Sequence, residues 1–144
     1  MLFRSSDQAS FFAGVDYVRQ FTSPDAVFVS AKPATLFYYT GRRSISLMTV
    51  LEQDSASFLQ LLERTRARYV LLGSVHAAEP NRLAPLLRAD CRAFSLVASF
   101  PPRTYLLELR SEAQQSQDDA ACQAMTDYRR ANVSQDFNWG PWPP

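Results

Sequence analysis

The sequence predicts a soluble α/β domain built on one five-stranded sheet. Short runs of β-branched and aromatic residues alternate with segments of helical period, a pattern typical of a parallel sheet. The last two apolar runs are joined by only three residues, "PPR", a connection that requires an antiparallel hairpin. We therefore expect a three-layer α/β/α sandwich with a mostly parallel sheet in the order 2-1-3-4-5, in which strand 5 is an antiparallel edge.

Capping residues predict the first two helices. Ser5 and Ser6 can accept backbone N–H groups at the start of a helix that runs to about Gln20. The run "AVFVS" follows and is apolar on both faces, as in a buried parallel strand. Pro33 suits the first turn of a second helix because its missing N–H costs nothing there, and Gly41 suits the end of that helix.

The middle of the chain repeats this alternation. "RSISL" predicts a second strand, and Asp54 or Ser55 caps a helix whose last turn carries Arg64, Arg66 and Arg68. Positive charge at a helix C-terminus complements the helix dipole, which favours a solvent-exposed face over a binding site for these arginines. "YVLLGSV" then predicts the third strand, and "PNRLAPLLRAD" predicts a fourth, short helix.

The composition changes after the hairpin strands "AFSLVASF" and "TYLLEL". The C-terminal segment is polar, its apolar stripe consists of Ala121, Met125 and Tyr128, and it ends in "DFNWGPWPP". We therefore expect one α/β domain over 1–110. A weakly amphipathic helix and a Trp/Pro-rich tail, over 111–144, pack on that domain or extend from it.

The totals exclude several classes of function. A net charge of +1 gives no reason to expect nucleic acid as a partner. Four glycines and no glycine-rich loop disfavour a bound nucleotide, and we predict no cofactor. No apolar run reaches the roughly 18 residues that cross a bilayer, and "MLFRSSDQAS" lacks the apolar core of a secretory signal.

No catalytic residue and no metal site can be assigned from the residue pattern. His76 is the only histidine, and the sequence lacks a nucleophile elbow. Two cysteines are fewer than the four ligands of a structural zinc site. Cys91 and Cys122 can be two buried thiols, or one disulfide where the compartment is oxidising.

Polar residues follow the first and third predicted strands. Ligands of open parallel sheets bind beyond the carboxyl ends of the strands, where the strand order reverses. The crevice between strands 1 and 3 is thus a candidate pocket for an anion or a sugar phosphate. Alternatively, Ser30 and Lys32 only cap a helix start, and the others are polar loop groups. The candidate ligand-binding residues are Ser30, Lys32, Arg42, Arg43, Ser74 and His76.

The order of features from Phe11 to Val75 resembles a known family. A helix before "SPDAVFVS", then "KPATLFYYTGRRSISL", a capped helix and "RARYVLLGSV" are similar to the soluble C-terminal region of membrane glycosyltransferases. These are family-39-like proteins, related to dolichyl-phosphate-mannose protein mannosyltransferases, that take sugars from polyprenyl-phosphate donors. In that family catalysis is attributed to acidic residues in loops near the first membrane helices, so no catalytic residue carries over to this chain.

The resemblance implies a non-catalytic domain on the periplasmic face of a bacterial inner membrane. Its partner would be the membrane-embedded part of a parent glycosyltransferase or the acceptor, without membrane insertion by this segment. An oxidising compartment would favour a Cys91–Cys122 disulfide. Two other interpretations stay open. One is a free-standing, cytoplasmic α/β ligand-binding protein or enzyme that uses the crevice near Lys32. The other is an interaction module whose tail, with Trp139 and Trp142, docks on a protein partner.

Overall fold

The computed structural model describes the backbone of residues 5–111 and 118–139, and the side chains of 5–111 and 118–132. The elements, in chain order, are α1 (Ser6–Phe21), β1 (Val27–Ser30), α2 (Pro33–Thr40), β2 (Arg43–Ile45), α3 (Leu47–Leu51), α4 (Ser55–Thr65), β3 (Ala67–Leu72), a π-helical turn (Glu79–Leu83), α5 (Ala84–Ala89), a 3-10 turn (Cys91–Ala93), β4 (Phe94–Phe100), β5 (Thr104–Leu109) and α6 (Ala120–Trp139).

All five strands form one sheet in the order β2-β1-β3-β5-β4. β1 pairs in parallel with β2 and β3, whereas β5 pairs antiparallel with both β3 and β4. The sheet is therefore parallel at one end and antiparallel at the other. This confirms the mixed α/β class and the hairpin; the three-layer arrangement stays a prediction.

The expected order of the last two strands is wrong, because β4 and not β5 is the edge strand. The connection through α5 carries the chain past one position of the sheet, and the hairpin returns β5 into the gap beside β3. Burial gives the physical reason. Leu106 and Leu107 of β5 are 0% and 1% exposed, whereas most of β4 is only half-buried, so the interior position buries the adjacent leucines of β5 on both faces of the strand.

Consecutive residues of the central strands pack into two different hydrophobic clusters. Phe28 and Leu71 contact the cluster that includes α1 and α2, and their neighbours Val29 and Leu72 contact the cluster that includes α3, α4, α5 and α6. Since successive strand side chains point to opposite faces, these clusters lie on the two sides of the sheet. The buried side chains of the central strands are thus shared between two hydrophobic clusters.

Capping residues lie at the helix boundaries that the sequence predicts. The Ser5 hydroxyl accepts the Gln8 N–H at 3.2 Å, and the Asp54 carboxylate accepts the Ser57 N–H at 2.8 Å. Gly41 ends α2 with φ of 74°, a left-handed conformation that favours glycine. The helix α3 is an addition that the sequence did not predict. Ser46 caps it and cuts the predicted strand "RSISL" short at β2.

The helix α6 packs on the domain through the predicted stripe. Ala121, Met125 and Tyr128 are 1%, 2% and 0% exposed and belong to the larger hydrophobic cluster. Cys91 and Cys122 form a disulfide, with an S–S distance of 1.94 Å, that links the 3-10 turn before β4 to the first turn of α6. The tail from 140 to 144, which includes Trp142, lies outside the described residues. Among the helices described, none is long and apolar enough to cross a membrane.

The disulfide predicts a measurable loss of stability when it is removed. It joins positions 31 residues apart. Loop-closure entropy then predicts that the Cys91→Ser/Cys122→Ser variant loses roughly 3–4 kcal/mol of unfolding free energy. Urea unfolding of the wild type and the variant, each with and without reductant, measures this. Reductant should destabilise the wild type and leave the variant unchanged; equal midpoints in all four samples would contradict the prediction.

Candidate functional site

The carboxyl ends of β1 and β3 lie side by side, at the place where the sequence predicts a crevice. After β1 the chain enters α2, whose buried Leu36 packs on one side of the sheet. After β3 it enters the π-helical turn and α5, whose Leu83 and Leu87 pack on the other side. Because the two connections enter different hydrophobic clusters, the general rule for open sheets predicts a ligand site between these strand ends.

A buried carboxylate that the sequence pattern does not indicate lies beside the loop that follows β3. Glu79 is 0% exposed. Its Oε2 atom accepts the Gly73 N–H at 2.7 Å, and its Oε1 atom accepts the N–H groups of Val75 and His76 at 2.9 and 3.1 Å. The side chain thereby holds the loop over 73–76 in place. In the sequence, a single glutamate in the polar stretch "HAAEPNR" gives no signal of this burial.

Burial raises the pKa of Glu79 to about 7, because the low-polarity interior disfavours the charged form. The three backbone N–H groups oppose this shift, and so does the positive charge of Lys32. Lys32 is exposed, and its positive charge favours the ionised form of the Glu79 carboxyl.

A hydrogen-bonded group ties the same loop to α6. The Ser74 hydroxyl is placed to donate to the Tyr128 Oη atom at 3.0 Å or to the Asn132 Oδ1 atom at 3.3 Å. Tyr128 donates its hydroxyl to the Gly73 carbonyl, and the Asn132 amide donates to the Tyr128 carbonyl at 2.8 Å. Burial raises the pKa of Tyr128 well above its ordinary value, so this phenol stays protonated and keeps its donor.

The start of α1 meets the start of β5 at the same edge of the sheet. Arg103 and Asp7 form a two-pronged ion pair, with N–O distances of 2.9 and 2.5 Å. Ser10 and Thr104, both buried, have their hydroxyl oxygens 2.5 Å apart. These contacts hold α1 against the hairpin and continue the polar group that surrounds Glu79 and Tyr128.

The four predicted residues that follow β1 and β3 are at this edge, and three of them are used internally. The Ser30 hydroxyl is buried and accepts the Lys32 N–H at 3.2 Å. Ser74 bonds to α6 as described above. His76 is exposed, but its Nδ1 atom accepts the Ala78 N–H at 3.0 Å, which leaves the ring proton of the neutral form on Nε2. Lys32 is the one predicted residue here whose charged end is exposed.

The structure places Arg42 and Arg43 at the opposite edge of the sheet. Arg43 pairs with Val27, the first residue of β1, because β1 and β2 are parallel and α2 carries the chain back to the amino ends. Arg42 is buried, and its guanidinium donates to the carbonyls of Arg19, Thr22 and Thr40. The two arginines therefore do not join Lys32 in one pocket, and Arg42 links the ends of α1 and α2.

The polar side chains at the carboxyl ends of β1 and β3 make hydrogen bonds that hold the fold together. Three N–H groups of the chain donate to Glu79, and the hydroxyls of Ser74 and Tyr128 bond within the chain. In the part of the chain that the structure describes, no group of three His, Cys, Asp or Glu side chains could hold a metal ion. Comparison with models of known protein families and with curated proteins gives no match.

Arg42 and Arg43 provide a matched pair for testing the structural role. Arg42→Ala leaves three helix-end carbonyls without their donor, so we expect a loss of about 2 kcal/mol of unfolding free energy. Arg43→Ala removes an exposed side chain, and its effect should stay within about 0.5 kcal/mol. Urea unfolding measures both. Equal losses in the two variants would contradict the structural role of Arg42.

Glu79 predicts a dependence of stability on pH. In the unfolded chain its carboxyl ionises near the ordinary value of 4.5, whereas the folded protein retains the proton up to about 7. Between these values the folded state binds more protons, so stability falls as pH rises, by roughly 3 kcal/mol in total. We expect Glu79→Gln to be less stable at every pH, because the Gly73 N–H loses its acceptor, but to lack this slope.

The measurement is urea unfolding at about pH 5 and about pH 8, on either side of most of the Glu79 transition. Glu63→Gln, which changes an exposed carboxyl, is the control and should keep the wild-type slope. Parallel curves for the wild type and Glu79→Gln would mean that Glu79 stays ionised in its ring of N–H groups, which would refute the prediction.

Proposed function

We propose that this chain is a non-catalytic, extracytoplasmic binding domain that acts with a membrane-embedded glycosyltransferase of the polyprenyl-phosphate-sugar-dependent class. The parent enzyme would supply the chemistry, and this domain would contact its membrane part or the acceptor. The observation that carries the proposal is the disulfide between Cys91 and Cys122.

A disulfide indicates the compartment in which the protein works. Structural disulfides form and persist in oxidising compartments such as the bacterial periplasm, and they are rare in the cytosol. Both cysteines are bonded here, so the chain has no free thiol that would suggest a redox or metal-binding role. This supports the extracytoplasmic part of the proposal over the cytoplasmic alternative.

The hydrogen bonds at the carboxyl end of β3 support the non-catalytic part. A general base needs a lone pair that is directed at a substrate proton. Glu79 accepts three N–H groups within the chain, and His76 accepts the Ala78 N–H through its Nδ1 atom. These groups hold the loop at the end of β3, which is the role expected of a rigid scaffold.

The element order supports the family assignment. The segment "SPDAVFVS" contains β1, "KPATLFYYTGRRSISL" contains α2 and β2, and "RARYVLLGSV" contains β3. The three strands are neighbours in the sheet, in the order β2-β1-β3. We also propose the three-layer arrangement that the order of helices and strands suggests, because alternate residues of the same strands enter two clusters that include helices.

The compartment can be tested by trapping thiols in the cells that make the protein. After acid quenching and alkylation, we expect Cys91 and Cys122 to be protected until a reductant is added. The Cys91→Ser variant is the control, since its remaining Cys122 thiol should be alkylated without reductant. Free thiols in the wild type would refute an extracytoplasmic location.

The coding sequence upstream of Met1 tests the parent enzyme separately. We expect an in-frame run of hydrophobic helices there, each long enough to span a bilayer. A ribosome-binding site and an intergenic region immediately before Met1 would refute the link to a membrane glycosyltransferase, whatever the state of the cysteines.

A further inference from the structure

A cleft lies at the amino edge of the sheet, away from the carboxyl ends of β1 and β3. It has a volume of about 390 Å³, and one wall is the turn between α1 and β1 while the other is the end of α2 with the start of β2. Its lining consists of Pro24, Asp25, Ala26, Phe37, Gly41 and Arg43. We propose that this cleft binds a neutral sugar ring.

The walls of the cleft are held in place before any ligand arrives. The Ser23 carbonyl accepts the Ala26 N–H at 3.0 Å, and the Ser23 hydroxyl accepts the Asp25 N–H at 3.3 Å. Behind the cleft, the buried guanidinium of Arg42 donates to the carbonyls of Thr22 and Thr40, one on each wall. A preformed site avoids part of the ordering cost of binding.

One lining residue of the cleft, Phe37, offers an aromatic surface. Phe37 keeps 56% of its surface exposed although it is a large apolar residue. The space beside Gly41 in the neighbouring wall is empty, since a Cβ atom built there would meet no atom within 4 Å. The C–H face of a sugar ring is apolar, so it can cover an exposed aromatic ring while the ring hydroxyls stay at the edge.

Two opposite charges line the same cleft without bonding to each other. Among the described residues, no ion pair includes the Asp25 carboxylate or the Arg43 guanidinium, and both side chains are exposed. A sugar hydroxyl both donates and accepts hydrogen bonds. Adjacent hydroxyls can therefore donate to Asp25 and accept from Arg43 at once, and hydrogen bonds to charged groups are the stronger ones.

The charge balance selects against anions. Asp25 cancels the charge of Arg43, so the cleft has no net attraction for a phosphate. The inference deepens the proposed function, on which it rests for the source of the sugar, because a glycan would be the acceptor of a glycosyltransferase. The cleft itself argues only for a neutral ring with one apolar face and adjacent hydroxyls.

The test is a titration of the whole chain with methyl α-mannopyranoside and methyl α-glucopyranoside, followed by backbone amide NMR shifts. We expect saturable shifts at Asp25, Ala26, Gly41 and Arg43 for at least one of these sugars. Phe37→Ala and Asp25→Asn should each weaken binding about tenfold, which corresponds to about 1.4 kcal/mol.

Tyr38→Ala is the matched control. Tyr38 is on the same helix and is 80% exposed, but it does not line the cleft, so its removal should leave sugar binding unchanged. Amide spectra of each variant establish that it is folded. Parallel titrations with inorganic phosphate and with glycine measure binding of an anion and of a zwitterion at the same amides.

Three outcomes would overturn the proposal: no saturable shift with either sugar, equal weakening by Tyr38→Ala and Phe37→Ala, or tighter binding of phosphate or glycine than of the sugars. These outcomes are separate from the thiol-trapping and upstream-sequence tests. A failed sugar titration with protected cysteines would remove the sugar site and leave the extracytoplasmic domain standing.

Discussion

Glu79 has its carboxylate in the interior, where the fold tolerates it because three backbone N–H groups bond to its oxygens. Those N–H groups belong to the loop that leaves β3, so the side chain and the loop fix each other. Tyr128 reaches the Gly73 carbonyl of the same loop and thereby attaches α6 to the sheet. The end of β3, the π-helical turn and the C-terminal helix depend on this one buried group.

The two edges of the sheet differ in what they leave available to a ligand. At the carboxyl edge, the side chains of Ser30, Ser74 and Glu79 form hydrogen bonds with other groups of the chain. At the amino edge, Asp25 and Arg43 lie beside an exposed aromatic ring. The general rule for parallel sheets favours the carboxyl edge. Here that rule does not predict which edge has free polar groups. A buried carboxylate needs hydrogen-bond donors from the chain, and those donors are then not available to a ligand.

Burial and charge act against each other around Glu79. Desolvation favours the protonated carboxyl, whereas the N–H groups and Lys32 favour the carboxylate, and the balance is a pKa of about 7. Lys32, the only lysine of the chain, therefore has an electrostatic partner without forming a close ion pair. Its position after β1 has a structural explanation as well, since its backbone N–H bonds to Ser30 at the start of α2.

The sequence by itself determined the caps of α1, α2 and α4, because Ser5, Gly41 and Asp54 act within one turn of the chain. It also determined the hairpin, since three residues cannot form a crossover. Only the tertiary structure decided that β5 lies between β3 and β4, that Arg42 and Arg43 lie away from Lys32, and that Glu79 is buried. Each of these depends on competition for the interior between segments distant along the chain, and local residue patterns do not contain the outcome of that competition.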